Sequence, residues 1–354
     1  MRFKHPRSEQ AGFVLVLVLW LLVAMAILAG AIVLWSQGRV EEATASRRDV
    51  DSKAAAIAAR DTILYLAATV PMTIGGLPTE PIAAGELSER RLDEFGVMDK
   101  TPRGGEIRLD GTLYAASAGV DFAIQDEAGL TPVAFADVAS MEGWLASGGV
   151  STARGRELAA AVQDFADTDG FRRLNGAEAR EYTRAGRPVP PNRPLTTPRA
   201  LPGVLGWERL SPMASARLEG YATTAYSGAL NLNTAPPALL GKLAQRCGRT
   251  CVERILERNA RPFLSTRQFE IETSASLPGD RDIDFRIAPS DTFRLTVFDR
   301  EGSAWRIHVR LTPLADREAP WAVEAAYRIP RPETDDAPRP IPSPLFSAPA
   351  MDRP

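Results

Sequence analysis

The chain has 354 residues, which is enough for two modest domains. Hydrophobic residues make up 45% of it and charged residues 24%, as in folded globular proteins, so a wholly disordered chain is excluded. The formal net charge is −2, which gives no electrostatic support for non-specific binding of nucleic acid.

The N-terminal segment predicts a membrane anchor. From Phe13 to Trp35 the sequence has 23 consecutive residues without a charge. A membrane-spanning helix needs about 20 apolar residues, whereas the core of a signal peptide has only about 7–15. Three Lys or Arg residues among the first seven positions precede the run, and such residues favour the cytoplasmic side. We therefore predict one helix over 13–69, first in lipid and then amphipathic, with the rest of the chain outside the cytoplasm.

Beyond the helix, strand patterns flank a block of helical patterns. The dipeptide Asp110-Gly111, between two alternating runs, predicts a hairpin turn, and "VDFAIQD" predicts a strand. Three further runs after residue 290 predict an antiparallel meander, and the proline-rich end predicts a disordered tail. The sequence thus predicts an α+β fold in which an all-α domain interrupts a sheet. The predicted ranges are 70–127 and 279–330 for the β region, 128–278 for the inserted helical domain and 331–354 for the tail.

The densest acidic group lies inside the helical block. Asp164, Asp167 and Asp169 fall within six positions, and Glu178 lies nine positions beyond the last of them. Clustered carboxylates on a glycine-containing loop suit Ca²⁺, which takes about 6–8 oxygen ligands in flexible geometry. The spacing from Asp167 to Glu178 equals that of an EF-hand loop, but Arg172 stands where that loop requires glycine. A solvated helix end with turn-forming aspartates explains the same residues, so both interpretations stay open.

Two cysteines and a short polar segment lie towards the end of the block. Cys247 and Cys251 can form a disulfide in an oxidising compartment, and they are too few for a zinc site. The segment "LNLNTA" opens a pair of short helices and resembles helix-hairpin-helix modules, some of which bind DNA. The connection at 246–250 lacks the glycine pair of those modules, so a packing role is favoured. A membrane-anchored periplasmic DNA-binding receptor is the alternative function.

The sequence lacks the motifs of the common enzyme classes. No nucleophile elbow, P-loop or dinucleotide fingerprint occurs in it. A Ser-His-Asp triad needs a histidine, and His308 is the one histidine beyond the first ten residues, so such a triad is disfavoured. The sequence therefore lacks the residues that a hydrolase would need.

The start of the apolar run has a specific pattern. A short polar leader ends in Gly12, and Phe13 begins the run at once. This resembles the type IV prepilin signal, in which a dedicated peptidase cuts after the glycine and methylates the new amino terminus. That signal usually has glutamate as the fifth mature residue, a position that Leu17 holds here.

Four stretches, in chain order, are similar to a family of type II secretion minor pseudopilins, general secretion pathway protein K. They are "AGFVLVLVLW", whose fifth mature residue is characteristically not glutamate in this family; "VDFAIQDEAGL"; "VQDFADTDG" with "GAEAREY"; and "NRPLTTPRALPGVLGW" with "LNLNTAPPALL". In the acidic stretch, Phe165 and Ala166 replace the Trp-Ile pair of the family. The resemblance covers about residues 8–330.

The resemblance implies a pilin-like fold, with a long N-terminal helix packed on an antiparallel sheet and an inserted all-α domain, after a prepilin leader over 1–12. It implies Ca²⁺ at Asp164, Asp167, Asp169 and Glu178, and it implies that the protein is not an enzyme. It implies a single-pass inner-membrane protein whose C-terminal domain lies in the periplasm, at the tip of a pseudopilus that it helps to initiate. The implied partners are the other minor pseudopilins in a tip heterotrimer, the major pseudopilin, the prepilin peptidase, the secretin and secreted substrates, without nucleic acid.

Overall fold

The computed structural model describes residues 11–80, 100–226, 228–244, 247–257, 261–299, 303–312, 319–330 and 339–346. Most of the predicted leader, at 1–10, and the tail segments at 331–338 and 347–354 lie outside the described residues. The chain divides into two compact units, Met1–Ala54 and Ala55–Pro354.

A single helix opens the chain and contributes to both units. Helix α1 runs over Ala11–Thr69, a length of 59 residues, and ends just before Pro71. Proline disfavours helical backbone in the residue before it, which explains the end of the helix. In the first unit, the side chains from 13 to 48 are exposed, and the best 18-residue window of the helix has a mean hydropathy of 2.9. The helix is therefore long and apolar enough to cross a membrane.

In the second unit, the last turns of α1 pack into a hydrophobic core. Ala59, Ile63, Leu66 and Val70 recur at helical spacing and are buried against the strands. This amphipathic half agrees with the predicted change of character along the helix.

The strands form one six-stranded sheet and two short pairs. The strands are β1 (Asp110–Ala115), β2 (Asp121–Asp126), β3 (Thr131–Pro132), β4 (Ala222–Thr223), β5 (Leu230–Asn231), β6 (Phe285–Arg286), β7 (Thr292–Phe298), β8 (Ser303–Leu311), β9 (Trp321–Pro330) and β10 (Ile341–Pro342). The large sheet has the order β10-β1-β2-β7-β8-β9; its neighbours are antiparallel except β10 with β1, and β3-β4 and β5-β6 are parallel pairs. The prediction of an α+β fold, with a long N-terminal helix and an antiparallel sheet, is confirmed.

Strand β7 shows how the sheet separates its two faces. Phe293, Leu295 and Val297 point into the core that α1 covers. Arg294 and Thr296 alternate with them, and Arg294 donates to the carbonyl oxygen of residue 220 in the helical block. One face of the sheet therefore packs on the long helix and the other meets the helical block.

The helical block connects β2 to β7. Two hydrophobic clusters hold it together, one around Trp144 and the other around Phe269. Asp137 and Ser211 cap helices by accepting backbone N–H bonds from Ser140 and Ala214. Its helices are α2 (Val138–Ser147), α3 (Thr152–Ala166), α4 (Ala179–Arg184), α5 (Pro212–Tyr221), α6 (Pro237–Leu243), α7 (Arg249–Glu257) and α8 (Thr266–Thr273), with 3₁₀ turns at Pro198–Gly203 and Trp207–Arg209.

Asp126 joins the block to the sheet at the point where the chain leaves β2. This aspartate is fully buried and accepts hydrogen bonds from Asn231 Nδ2 (2.7 Å), Thr234 Oγ1 (3.1 Å) and Ser290 Oγ (2.6 Å). Burial raises the pKa of Asp126, while the bonds from Ser290 and Asn231 act in the opposite direction. One side chain thereby links both ends of the insertion.

Glu127, the next residue, makes a second buried contact between block and sheet. Its Oε1 lies 2.5 Å from His308 Nδ1 on β8, and Thr223 of β4 donates to its Oε2. His308 Nε2 lies 2.9 Å from the Tyr327 hydroxyl on β9. Burial alone would raise the pKa of Glu127, but the hydrogen bond and charge of His308 bring it below its ordinary value.

Three local predictions differ from the structure. Asp110-Gly111 is not the hairpin turn: β1 begins there, Gly111 has φ +82° beside a register irregularity, and the turn to β2 is the 3₁₀ segment Ser117–Gly119. The predicted all-α block over 128–278 contains the short strands β3, β4 and β5. The predicted disordered tail contains β10, and Phe346 packs against the core, where its ring meets that of Phe122 edge to face with 5.6 Å between the ring centroids.

Candidate metal centre

The acidic cluster forms where α3 ends and α4 begins. Asp167 follows the last residue of α3, and its N–H donates to the Gln163 carbonyl at 3.0 Å. Glu178 immediately precedes α4. Carboxylate oxygens of Asp167, Asp169 and Glu178 all lie within 4.8 Å of one another, close enough to share one cation.

Several oxygens at this place have no hydrogen-bond partner. They are Asp167 Oδ1, both carboxylate oxygens of Glu178, and Asn192 Oδ1, all buried in the described part of the chain. Buried polar atoms are nearly always hydrogen-bonded, so four such oxygens in one cluster are a donor set that a cation would satisfy. Asn192 belongs with them because its Nδ2 donates to the carbonyl oxygen of Asp169.

Asp164 occupies a different position from the one predicted for a ligand. It is fully buried, and it accepts bonds from Arg173 through Nη1 at 2.9 Å and through the backbone N–H at 3.2 Å. Residue Gly176 packs on it so closely that a Cβ there would lie 2.0 Å from Asp164 Oδ2. The structure therefore brings three of the four predicted carboxylates together and pairs Asp164 with an arginine.

The electrostatics of Glu178 favour a cation. Glu178 is 6% exposed, and burial raises the pKa of its carboxyl, as do the negative charges of Asp164 and Asp167, while the nearby Ala179 N–H and Asn192 side chain act in the opposite direction. A divalent ion placed among these oxygens would reverse that shift and satisfy the unpartnered atoms. The donors are all carboxylate or amide oxygens, the set that suits Ca²⁺. The residues therefore fit a hard divalent cation.

The predicted cleavage residues lie at the start of α1. The helix begins at Ala11 and continues through Gly12 and Phe13, and the Phe13 side chain is exposed. Leu17, one turn on, is exposed too. Cleavage and methylation at this place stay predictions.

The two cysteines form a disulfide. Their Cα atoms are 5.0 Å apart, and Cys251 is buried beside Phe269 in the second hydrophobic cluster. Helix α7 begins at Arg249, so Cys247 precedes the helix instead of lying on it. Because Cys247 lies outside the helix, its side chain can approach that of Cys251 within bonding distance.

The "LNLNTA" segment uses its polar groups inside the fold. Asn233 Nδ2 donates to the carbonyl oxygens of Phe263 and Ile287, both at 2.9 Å, and its Oδ1 accepts from the Phe263 N–H at 2.7 Å. Asn231 donates to Asp126. The segment thus packs the block against the sheet, as its interpretation as a packing element predicts.

Comparison with solved structures gives a remote likeness. No protein-family model matches the chain, and no curated protein matches it. Among solved structures, the chain is similar to one chain of the crystal structure of the GspK-GspI-GspJ complex from the type 2 secretion system of enterotoxigenic Escherichia coli. The two are 15% identical, the match covers 80% of this chain and 98% of that one, and the TM-score is 0.47.

Proposed function

We propose that this chain is a minor pseudopilin of a type II secretion system, of the general secretion pathway protein K kind. The observation that carries the proposal is helix α1. Its first half is apolar and exposed, and its last turns pack on an antiparallel sheet as one uninterrupted element. Such a helix serves first as a membrane anchor and then as the shaft of an assembly. The order of the four motifs along the chain supports the same assignment.

The N-terminal residues account for the maturation that we propose. A prepilin peptidase cuts after Gly12 on the cytoplasmic side, Phe13 becomes the methylated first residue, and the domain that follows lies in the periplasm. Leu17 then supplies no carboxylate for the terminal amine of an adjoining subunit. A subunit at the tip has no such neighbour above it, so we place the chain at the tip.

The helical block supports a tip position sterically. It is inserted between β2 and β7, on the sheet face opposite the one that α1 covers. A helical stack of such subunits would have to accommodate this block at every level, whereas one subunit at the end needs no such space. We assign the protein an assembly role and no catalytic one, and we expect it to start pseudopilus assembly.

The helical block, in this proposal, binds calcium at the candidate metal centre. Asp167, Asp169, Glu178 and Asn192 would hold the ion, and the bound ion would supply positive charge to oxygens that otherwise have no partner. These ligands come from the end of α3, the loop after it, the start of α4 and the segment beyond. Bound calcium would therefore tie four parts of the block together. Calcium titration of the full chain should give binding that Glu178→Gln abolishes, while the exposed α3 residue Glu157→Gln leaves it unchanged.

Co-purification tests the assembly role. The full chain, affinity-tagged and extracted in mild detergent, is co-expressed with the other minor pseudopilins of its secretion system. We expect those minor pseudopilins to co-purify with it, and an unrelated single-pass membrane protein with the same tag to bring down none of them. Failure of the minor pseudopilins to co-purify would contradict the proposal.

A further inference from the structure

Arg173 lies among the acidic residues of the candidate metal centre and pairs with two of them. Its guanidinium Nη1 contacts Asp164 Oδ1 at 2.9 Å and also Asp167 Oδ2. These two hydrogen bonds, the one to Asp167 first, raise the pKa of Arg173 and keep it charged. Arg172, the preceding residue, instead pairs with Glu181 at 3.8 Å.

Arg173 divides the cluster into two parts. The part near Asp164 is satisfied, because the arginine donates to it from both backbone and side chain. The part near Glu178 is unsatisfied, because both oxygens of that carboxylate lack partners. Asp167 belongs to both: Oδ2 accepts from Arg173, while Oδ1 is buried without a partner.

This division gives Arg173 two opposite electrostatic effects. Without a metal ion, its positive charge offsets the repulsion among carboxylates that the fold forces together. With a metal ion present, the same charge repels the ion, because the Arg173 guanidinium is held beside Asp167, which is also a candidate ligand of the ion. A residue of this kind keeps the metal-free loop folded and weakens the metal complex.

We propose that Arg173 is a tethered counter-ion of the calcium site, which neutralises Asp164 and Asp167 in the calcium-free protein and lowers the affinity for the ion. The proposal rests on the proposed function in that the site binds Ca²⁺. The helical block would then be folded before calcium binds, and bound calcium would raise its stability. Loss of the charge should raise calcium affinity on the order of tenfold.

The experiment combines calcium binding with stability in the full chain, purified in detergent micelles. Isothermal titration with CaCl₂ gives the affinity. Thermal unfolding in EDTA and in excess CaCl₂, followed by tryptophan fluorescence, gives the stability, because Trp144 and Trp207 are buried in the same block. The variants are Arg173→Gln, which removes the charge, Arg173→Lys, which keeps it, and Arg172→Gln as the matched control.

We expect Arg173→Gln to bind calcium about tenfold more tightly, to unfold several degrees lower in EDTA, and to recover most of that loss in calcium. Arg173→Lys and Arg172→Gln should bind calcium as the unaltered chain does. An affinity of Arg173→Gln equal to or weaker than that of the unaltered chain, or a loss of stability equal in EDTA and calcium, would overturn the counter-ion role and leave the calcium site standing. Absence of calcium binding in the unaltered chain and in Arg173→Gln alike would overturn both; binding only in Arg173→Gln would support the counter-ion role.

Discussion

Replacement of the buried carboxylate Asp126 tests how the helical block is held on the sheet. Its Oδ1 accepts from the backbone N–H groups of Ala128 and Ser290 and from the Ser290 hydroxyl, and its Oδ2 accepts from Asn231 and Thr234. Every one of these contacts uses the carboxylate as an acceptor. In Asp126→Asn, an NH₂ group replaces one of the two carboxylate oxygens, and it faces N–H or O–H donors from which it cannot accept a hydrogen bond.

The expected cost follows from those contacts. A lost hydrogen bond to a charged group costs about 1.5–3 kcal/mol, and relief of the buried charge offsets part of the sum. We therefore expect Asp126→Asn to lower the free energy of unfolding by about 3 kcal/mol, which corresponds to roughly 5–10 °C in the melting temperature. Asp61→Asn is the control, because Asp61 pairs with Arg60 on the exposed side of α1, where such pairs contribute about 0–1 kcal/mol.

The assay is thermal and urea unfolding of the full chain in detergent micelles, with tryptophan fluorescence as the probe for the block. A loss within 0.5 kcal/mol of the Asp61→Asn value, about the reproducibility expected for a surface substitution, would refute the reasoning. In that case Asp126 would be a buried charge that the fold tolerates, and the block would be held by its apolar contacts.

Three further perturbations have defined outcomes. Because His308 brings the pKa of Glu127 below its ordinary value of 4.5, the stability from Glu127 is present above that pH and lost as the pH falls through the folded-state value. Glu127→Gln should therefore cost about 2 kcal/mol at pH 7 and progressively less as the pH falls below 4.5, and a urea-unfolding loss that stays the same over that fall would contradict this. Joint replacement of Cys247 and Cys251 by alanine should lower the free energy of unfolding by about 2 kcal/mol, as for a closed loop of about five residues, and an unchanged urea midpoint would argue against it. Phe346→Ala should cost about 1–2 kcal/mol because its ring packs on the core, and a thermal midpoint equal to that of the unaltered chain would show that the segment adds nothing.

The larger elements follow from the sequence because each carries a long, repeated signal. The uncharged run and the lack of proline before Pro71 are enough to predict α1. The alternation in β7 is equally clear, since Phe293, Leu295 and Val297 share one face over seven residues. In α1 the signal is the length of the apolar run, and in β7 it is the apolar face that packs into the core; both are visible in residue type.

Local features depended on contacts that the sequence does not display. Gly111 supplies a positive φ, which serves a β-bulge as well as it serves a hairpin turn. Phe346, in a proline-rich segment, packs against the core beside Phe122. A short apolar segment in a polar tail gives no periodicity from which to predict this.

The candidate metal centre was partly visible in the sequence. The spacing of the acidic residues along the sequence is enough to predict a carboxylate cluster, but it does not show that Arg173 pairs with Asp164. Asn192 was missed as an oxygen donor, because it lies 14 positions beyond Glu178 in a proline-rich segment and an amide is a common surface group. The signal that could have found it is "NRPL", a stretch already matched to the pseudopilin family without a chemical role.

Processing at Gly12 is central to the proposed function, and N-terminal sequencing by mass spectrometry tests it. The full chain is co-expressed with a prepilin peptidase, with a catalytically inactive peptidase in the matched control. We predict a mature chain that begins at N-methylated Phe13 with the active enzyme, and an uncut chain with the inactive one. An intact Met1 with the active enzyme, or a cut beyond the apolar run, would contradict the assignment of this protein as a pseudopilin.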